Sequence, residues 1–295
     1  MEKKLPNYGG QAVIEGVMMR GKRAAAIAMR TPEGEIKVHT EKLSRLYQSR
    51  WAQIPFLRGV IGLWDALILG TRALTISANA QTGEEEELEG TALVLTMGAS
   101  LAIAVVIFFL IPAAAGQFSE RALGWNAWGG NLSEGLIRLI FLILYIWAIG
   151  KMEDIQRVFA YHGAEHKVIN AFEDGADLEP SRVKAYSREH PRCGTAFLLV
   201  VVVISVLIFT LLGSMSLAWR LLSRVLLLPV IAGLAYEYLR WTADHVDQTA
   251  VRWLIKPNLA LQRLTTREPD EEIIEVGIRA FQAMRDAEDE MEPAE

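Results

Sequence analysis

Residues 92–115 read ALVLTMGASLAIAVVIFFLIPAAA, a run with no charged side chain and a single proline, Pro112, near its far end. A helix rises about 1.5 Å per residue, so roughly 20 apolar residues cross the hydrocarbon of a bilayer. This run is long enough. It sets the class of the chain as an α-helical integral membrane protein. Thr195–Leu212 is a second charge-free run, rich in valine, leucine and isoleucine. Leu136–Ile149 reads as a shorter span, with Arg138 near its start snorkelling to the outer headgroups. Leu217–Leu239 is long enough to cross, although Arg220 and Arg224 lie in its first third and Glu237 near its end. About four transmembrane helices are therefore expected. Ile54–Leu69 carries Arg58, Asp65, Gly59 and Gly62 and falls short of a span, so it reads as an interfacial or re-entrant helix.

Composition agrees with spans joined by sizeable charged segments, since 52% of the 295 residues are hydrophobic while 22% are still charged. The formal net charge of −5 spreads over no basic face, so no nucleic-acid partner is expected. The lone cysteine, Cys193, excludes an internal disulfide and fits a reducing compartment. The N-terminus lacks an early apolar stretch, so a cleavable signal peptide is not expected. Lysine and arginine set the orientation. Residues 1–90 hold twelve, 151–193 seven and 240–295 seven, against one in 116–135 and none in 213–216. Four spans put the three rich segments on one side, so both termini and the segment between the second and third spans are expected in the cytoplasm.

The divisions that follow are an N-terminal cytoplasmic β region (1–50), an interfacial helix with an acidic linker (51–90), two spans (91–150), a polar segment (151–193), two spans (194–240) and a cytoplasmic C-terminal region (241–295). Gly9–Gly21 is a short apolar run hemmed by glycines and reads as a strand with tight turns. Residues 24–31 and 36–43 flank Pro32-Glu33-Gly34-Glu35 as a β-hairpin. Glu15 and Arg20 are candidates to reach the polar segment, or else form a surface ion pair. The triplet Gly9-Gly10-Gln11 also occurs in the catalytic loop of peptide release factors, a weak signal without a basic RNA-binding face. The run Gly83–Glu87 reads as a solvated acidic linker.

The polar segment carries the chemistry. Tyr161-His162-Gly163-Ala164-Glu165-His166-Lys167 spells H-x-x-E-H, and His190-Pro191-Arg192-Cys193-Gly194 follows before the third span. On a helix from about Ile155 to Glu173, capped by Asp154 and stopped at Gly175, His162 and His166 share a face. H-x-x-E-H is the inverted zinc-peptidase motif, in which two histidines bind the metal and the glutamate handles a water proton. The H-x-x-C pair has zinc-knuckle spacing. The expected ligands of a Zn²⁺ are His162, His166, His190 and Cys193, with Glu165 catalytic. The bland reading is a membrane-surface helix whose histidines merely hydrogen-bond to neighbours. Glu237 reads as a further carboxylate for this region or as interfacial charge, and Asp244, His245 and Asp247 as weaker candidates. Pro180 opens a short helix to about Arg188, and Lys256-Pro257-Asn258 starts an irregular connection. Asp270 caps a helix whose apolar stripe runs to Met284, followed by an acidic, disordered tail from Asp286.

Gly9–Gly21, Tyr161–Lys167 with His190–Gly194, and Leu264–Asp270 together resemble the bacterial YqhQ family, over most of residues 8–285. The resemblance implies a bacterial inner-membrane protein and a metal-dependent enzyme with no substrate attached. It makes Glu15, Arg20, His162, Glu165, His166, His190 and Cys193 the residues to test. Two functions are expected. The first is a membrane-anchored zinc hydrolase acting on a lipid-linked or membrane-inserted substrate. The alternative is a non-enzymatic scaffold whose zinc staples a docking surface for other membrane proteins. A transporter comes third, because the spans look charge-poor and show no paired broken helices.

Overall fold

The protein is described by a computed structural model covering residues 8–44, 49–82, 91–213 and 215–291. Its N-terminal part is an antiparallel sheet in chain order, β1 (Gly9–Val13), β2 (Gly16–Arg20), β3 (Ala24–Arg30) and β4 (Ile36–Lys42). The hairpin expected at 24–43 is β3–β4. The run Gly9–Gly21 is itself a second hairpin, closed by Ile14 and Glu15 between paired Val13 and Gly16. Glu15 takes a left-handed φ of 51° there.

Alternation along the strands gives the sheet two apolar faces. Val17, Met19, Ala26 and Ala28 pack under α5 (Glu153–Glu173) and α11 (Glu271–Asp289). Val13, Met18, Ala25, Ile27 and Met29 pack under α1 (Leu57–Thr82) through Leu69 and Ala73. The small side chains of β3 let helices lie close on both sides. α1 is therefore much longer than the helix expected at 54–69, because the sheet buries its second half and keeps it regular. The acidic run from Gly83 lies outside the described residues.

The apolar elements are α2 (Thr91–Val105), continuous through a widened turn at Val106–Leu110 with α3 (Ile111–Ala122), then α4 (Ala127–Ile149) and α7 (Gly194–Leu211). Between α5 and α7 lies the short α6 (Pro180–Val183), which stops well before Arg188. α8 (Leu217–Leu226), α9 (Leu228–Asp244) and α10 (Thr249–Thr265) precede α11. Among the described residues four helices are long and apolar enough to cross a membrane: Leu57–Gln81, Leu95–Ala122, Ala127–Ile149 and Gly194–Leu211. The fourth span expected at 217–239 is a bent pair, α8 and α9, which meet at 46° and together are long and apolar enough for one broken span. Pro229 sits in the first turn of α9, where its missing N–H leaves the preceding helix unbonded at that point.

Arg138 does not snorkel outward. It is buried and bonds to Glu134 at 2.8 Å, Ser205 at 3.2 Å and the Phe108 carbonyl at 2.9 Å. Arg224 donates to both carboxylate oxygens of Glu134 and to Asn131, while Arg220 pairs with Glu120. The apolar helices thus close around three guanidiniums and two carboxylates, contrary to the charge-poor, unbroken spans expected.

Three boundaries also differ from expectation. α5 begins at Glu153 with Met152 at its cap, so Asp154 is already inside the helix. Pro257 lies within α10, which stays helical because Val251, Ile255, Asn258, Leu261 and Gln262 bury one face. α11 runs to Asp289 and takes in the start of the acidic tail, while its expected cap holds, Asp270 accepting from the Ile273 N–H at 2.8 Å.

Candidate metal centre

α5 is polar along one side, through His162, His166, Asn170 and Glu173, yet that side is covered, His166 fully and the other three in part. It is covered because the loop 184–192 and the end of α10 lie across it. Lys167 Nζ donates to the Lys184 and Tyr186 carbonyls at 2.7 and 2.6 Å and pairs with Glu268. Asn170 donates to the Ser187 and Glu189 carbonyls, and Gln262 clasps both backbone groups of His190. Irregular backbone is thus satisfied by side chains where no ladder is present. Gly163 is needed at the crossing, since a Cβ there would lie 2.2 Å from the Arg267 carbonyl oxygen.

The two imidazoles are fixed by the same segments. His162 Nδ1 lies 2.9 Å from the Thr265 carbonyl, and His166 Nδ1 lies 2.6 Å from the Arg188 carbonyl. A carbonyl only accepts, so each Nδ1 carries a proton, and in the neutral imidazole the lone pair is left on Nε2. His162 Nε2 lies 3.2 Å from Cys193 Sγ, and His166 Nε2 is buried with no hydrogen-bond partner. One ligand atom from each of His162, His166 and Cys193 lies within 4.8 Å of the others. Cys193 caps α7, its sulfur accepting from the Thr195 N–H at 3.4 Å.

An orphaned nitrogen facing a second imidazole and a thiol suits a soft divalent ion such as zinc. Nδ1–H bonds to carbonyls are the usual outer support of zinc-bound histidines. Among the described residues this is the only such group of three or more side chains.

His190, expected as a fourth ligand, stands outside the group. Its ring centre is 5.9 Å from that of His166, and its Nε2 faces Glu173 at 3.5 Å. Burial holds its imidazole below the usual pKa, against the Glu173 hydrogen bond.

Glu165 sits one residue before His166 but packs toward the sheet. Its Cγ and Cδ lie about where a Gly10 Cβ would touch, at 3.0 and 3.1 Å, and its carboxylate accepts the Gly10 N–H. Gly9-Gly10-Gln11 is therefore strand β1, with Gly10 making room for Glu165 and Gln11 lying against Gly70 of α1. Burial pushes the Glu165 pKa up to about 7, against the lowering effect of His162 and the Gly10 N–H.

The other candidates are placed elsewhere. Glu15 pairs with Arg157 and takes the Tyr161 hydroxyl, Arg20 pairs with Asp65 of α1, and Glu237 pairs with Arg58. The His245 ring, at the end of α9, lies on the Trp241 carbonyl at 2.8 Å and stacks on the Trp241 indole. The sequence reading missed Lys167, Asn170, Glu173 and Gln262. Asn170 and Glu173 continue the His162/His166 side of α5 at helical spacing, and that stripe was a readable signal.

Residues 54–287 match the family described as Protein of unknown function (DUF1385). The chain is 35% identical over 298 residues to "Uncharacterized protein YqhQ" of Bacillus subtilis (strain 168), across 94% of this chain and 91% of that protein. No solved structure matches it. The long motifs and this full-length similarity identify the chain as a member of the DUF1385 family, to which the YqhQ resemblance already pointed.

Proposed function

We propose that this protein is a zinc-dependent hydrolase of the bacterial cell (inner) membrane, with its site on the cytoplasmic side of the bilayer. The observation that carries the reading is the trio of half-buried His162 with buried His166 and Cys193, whose imidazoles are both turned Nε2-inward by carbonyl hydrogen bonds. Three protein ligands leave a fourth position free, the pattern of catalytic zinc, and this favours the enzyme over the zinc-stapled scaffold, which wants four. Bound there, a zinc ion supplies Lewis acidity to a water or a substrate carbonyl. Glu165, whose carboxyl packs on the sheet against the Gly10 N–H with His162 as its neighbour, would be the group to accept a proton from water at such a zinc, as the H-x-x-E-H order suggests. Glu173 and Gln262 hold the His190 turn that presents Cys193.

The membrane part of the reading rests on the long apolar helices and on exposed tryptophans at both ends of the bundle. Trp125 and Trp128 lie at the α3–α4 turn, and Trp147, Trp241 and Trp253 lie toward the other end. Lysine and arginine crowd the side that holds the sheet and α5, so that side, with both termini, is cytoplasmic. A site at the mouth of α7 suits a lipid-linked or membrane-inserted polypeptide substrate.

Elemental analysis of the purified protein beside the His162→Ala/His166→Ala variant tests this. One zinc per chain, absent from the variant, is expected, and Glu165→Gln should keep the zinc while losing hydrolysis. No stoichiometric metal in the wild-type protein would end the proposal.

A further inference from the structure

The chain makes an excursion between the sheet and the second half of α1. Leu43 leaves the sheet packed with Leu69 and Ala73, and Ser44 Oγ donates to Asp65 at 2.7 Å, so residues 44 and 65 stand at one level. Between them the described residues 49–64 project away, along about 12 Å of helix from Asp65 back to Leu57. The tip is Phe56, with a left-handed φ of 65°. It meets α9 and not the sheet. The Phe56 carbonyl lies under Gly233, where a Cβ would stand 2.9 Å away, and Gly59 lies against Gly233 and Tyr236. Glu237 accepts from the Phe56 N–H at 3.0 Å and from Arg58 Nε at 2.7 Å.

This segment shows apolar side chains outward. Trp51, Ile54, Phe56, Trp64, Leu67 and Ile68 are all exposed, Trp64 by 61%. Its inner charges are neutralised, Arg58 by Glu237 and Asp65 by Arg20. Paired charge beneath an apolar surface is what a lipid-facing segment requires, and water gives no reason for it.

Length and composition alone would make α1 a span, but connectivity forbids it. The sheet and α5 share one core, joining Val17 and Met19 to Tyr161, Ala164 and Val168, so both lie on one side of any membrane. An even number of crossings must separate them. The antiparallel pair made by α2–α3 and α4 supplies two, and α1 as a third would break the parity. α11 belongs to that core as well, so α7 must be matched by one return through the bent α8–α9 pair.

We infer that residues 51–68 form a re-entrant wedge whose partner is lipid. It dips into the hydrocarbon of the leaflet next to the metal centre, and Glu237 pins its tip to α9. The inference rests on the membrane part of the proposed function and not on the metal.

Cysteine substitution in the full-length protein, in sealed membrane vesicles with a membrane-impermeant maleimide, tests it against a wild-type control for Cys193. Arg50→Cys and Gln81→Cys should label from one side and Leu123→Cys, before the α3–α4 turn, from the other. Phe56→Cys and Trp64→Cys should lose labelling from both sides and recover it once the protein is denatured. Arg50→Cys and Gln81→Cys reacting from opposite sides would make α1 a span and overturn the wedge. Free labelling of Phe56→Cys would put the tip in water and overturn it too. If Leu123→Cys labels from the Arg50 side, the four-crossing membrane reading itself has failed. Where a variant does not fold, hydrogen exchange of the wild-type protein in lipid nanodiscs decides. Slow amides over 51–56 are expected, and exchange at the rate of an open loop would refute the wedge.

Discussion

Glu165→Gln should make the metal-free protein more stable at neutral and alkaline pH. The carboxylate is buried against β1 with one backbone N–H to accept, and its pKa rises from the ordinary 4.5 to about 7. The sign follows from proton counts. Between those two values the folded protein keeps a proton that the unfolded chain has released, so stability falls as pH rises through the window and levels off above it. A rise of about 2.5 pKa units corresponds to roughly 3 kcal/mol. Glutamine accepts the same Gly10 N–H and does not titrate. The variant's advantage over wild type should therefore grow by about 2.5 kcal/mol between about pH 5 and about pH 8. Chemical unfolding in detergent, after chelation, measures the difference at each pH. A flat difference would mean that Glu165 is solvated and that α5 does not pack on β1 through this carboxylate. With zinc restored the slope should shrink, because a nearby divalent cation holds the carboxylate ionised.

Three further changes separate the site from its frame. His190→Ala should keep stoichiometric zinc and lose stability through the broken Glu173 contact, and loss of metal in elemental analysis would return His190 to the ligand set. Gly163→Ala forces a Cβ to 2.2 Å from the Arg267 carbonyl. It should cost about 1–3 kcal/mol and weaken zinc binding, since Thr265, which holds His162, lies two residues from Arg267; unchanged zinc affinity by competition titration would detach the crossing from the site. Glu134→Gln leaves Arg138 and Arg224 buried without their carboxylate. A loss of about 3–5 kcal/mol in detergent unfolding is expected, and a neutral result would show these helices tolerate the unpaired charge.

What the sequence disclosed and what it hid divide along one physical line. Charge-free runs, alternating strands and capped or glycine-stopped ends are local signals, and α2–α3, α7, β3–β4, the Gly175 stop and the Asp270 cap were legible in them. The H-x-x-E-H spacing likewise put His162 and His166 on one face, and the structure brings Cys193 to them. The rest depends on partners distant in the chain. Nothing near Arg138 announces Glu134 and Ser205 as its destination, so a lone arginine in an apolar run was given the cheaper solution of snorkelling. His190 and Cys193 lie on one turn, and only the tertiary contact with Glu173 sends the first away from the second. α1 stays helical past Leu69 because the sheet buries Ala73 and Leu69, which local propensity does not foresee.

The same dependence on distant partners explains why so polar a helix is buried beside so apolar a bundle. Alone, α5 would leave His166, Lys167 and Asn170 in water, and the carbonyls of Lys184, Tyr186, Ser187 and Glu189 would lose these donors. Each half needs the other, and both need the end of α10, which supplies Thr265 and Gln262. Cys193 arrives only as the cap of α7, and α10 only after the chain has returned through α8 and α9. The three ligand atoms therefore converge only after the bundle has formed and the sheet has packed against α5. Under the proposed function, a metal centre built this way would be assembled only by completed topology, and it would be held at the bilayer because its supports are the ends of the long apolar helices.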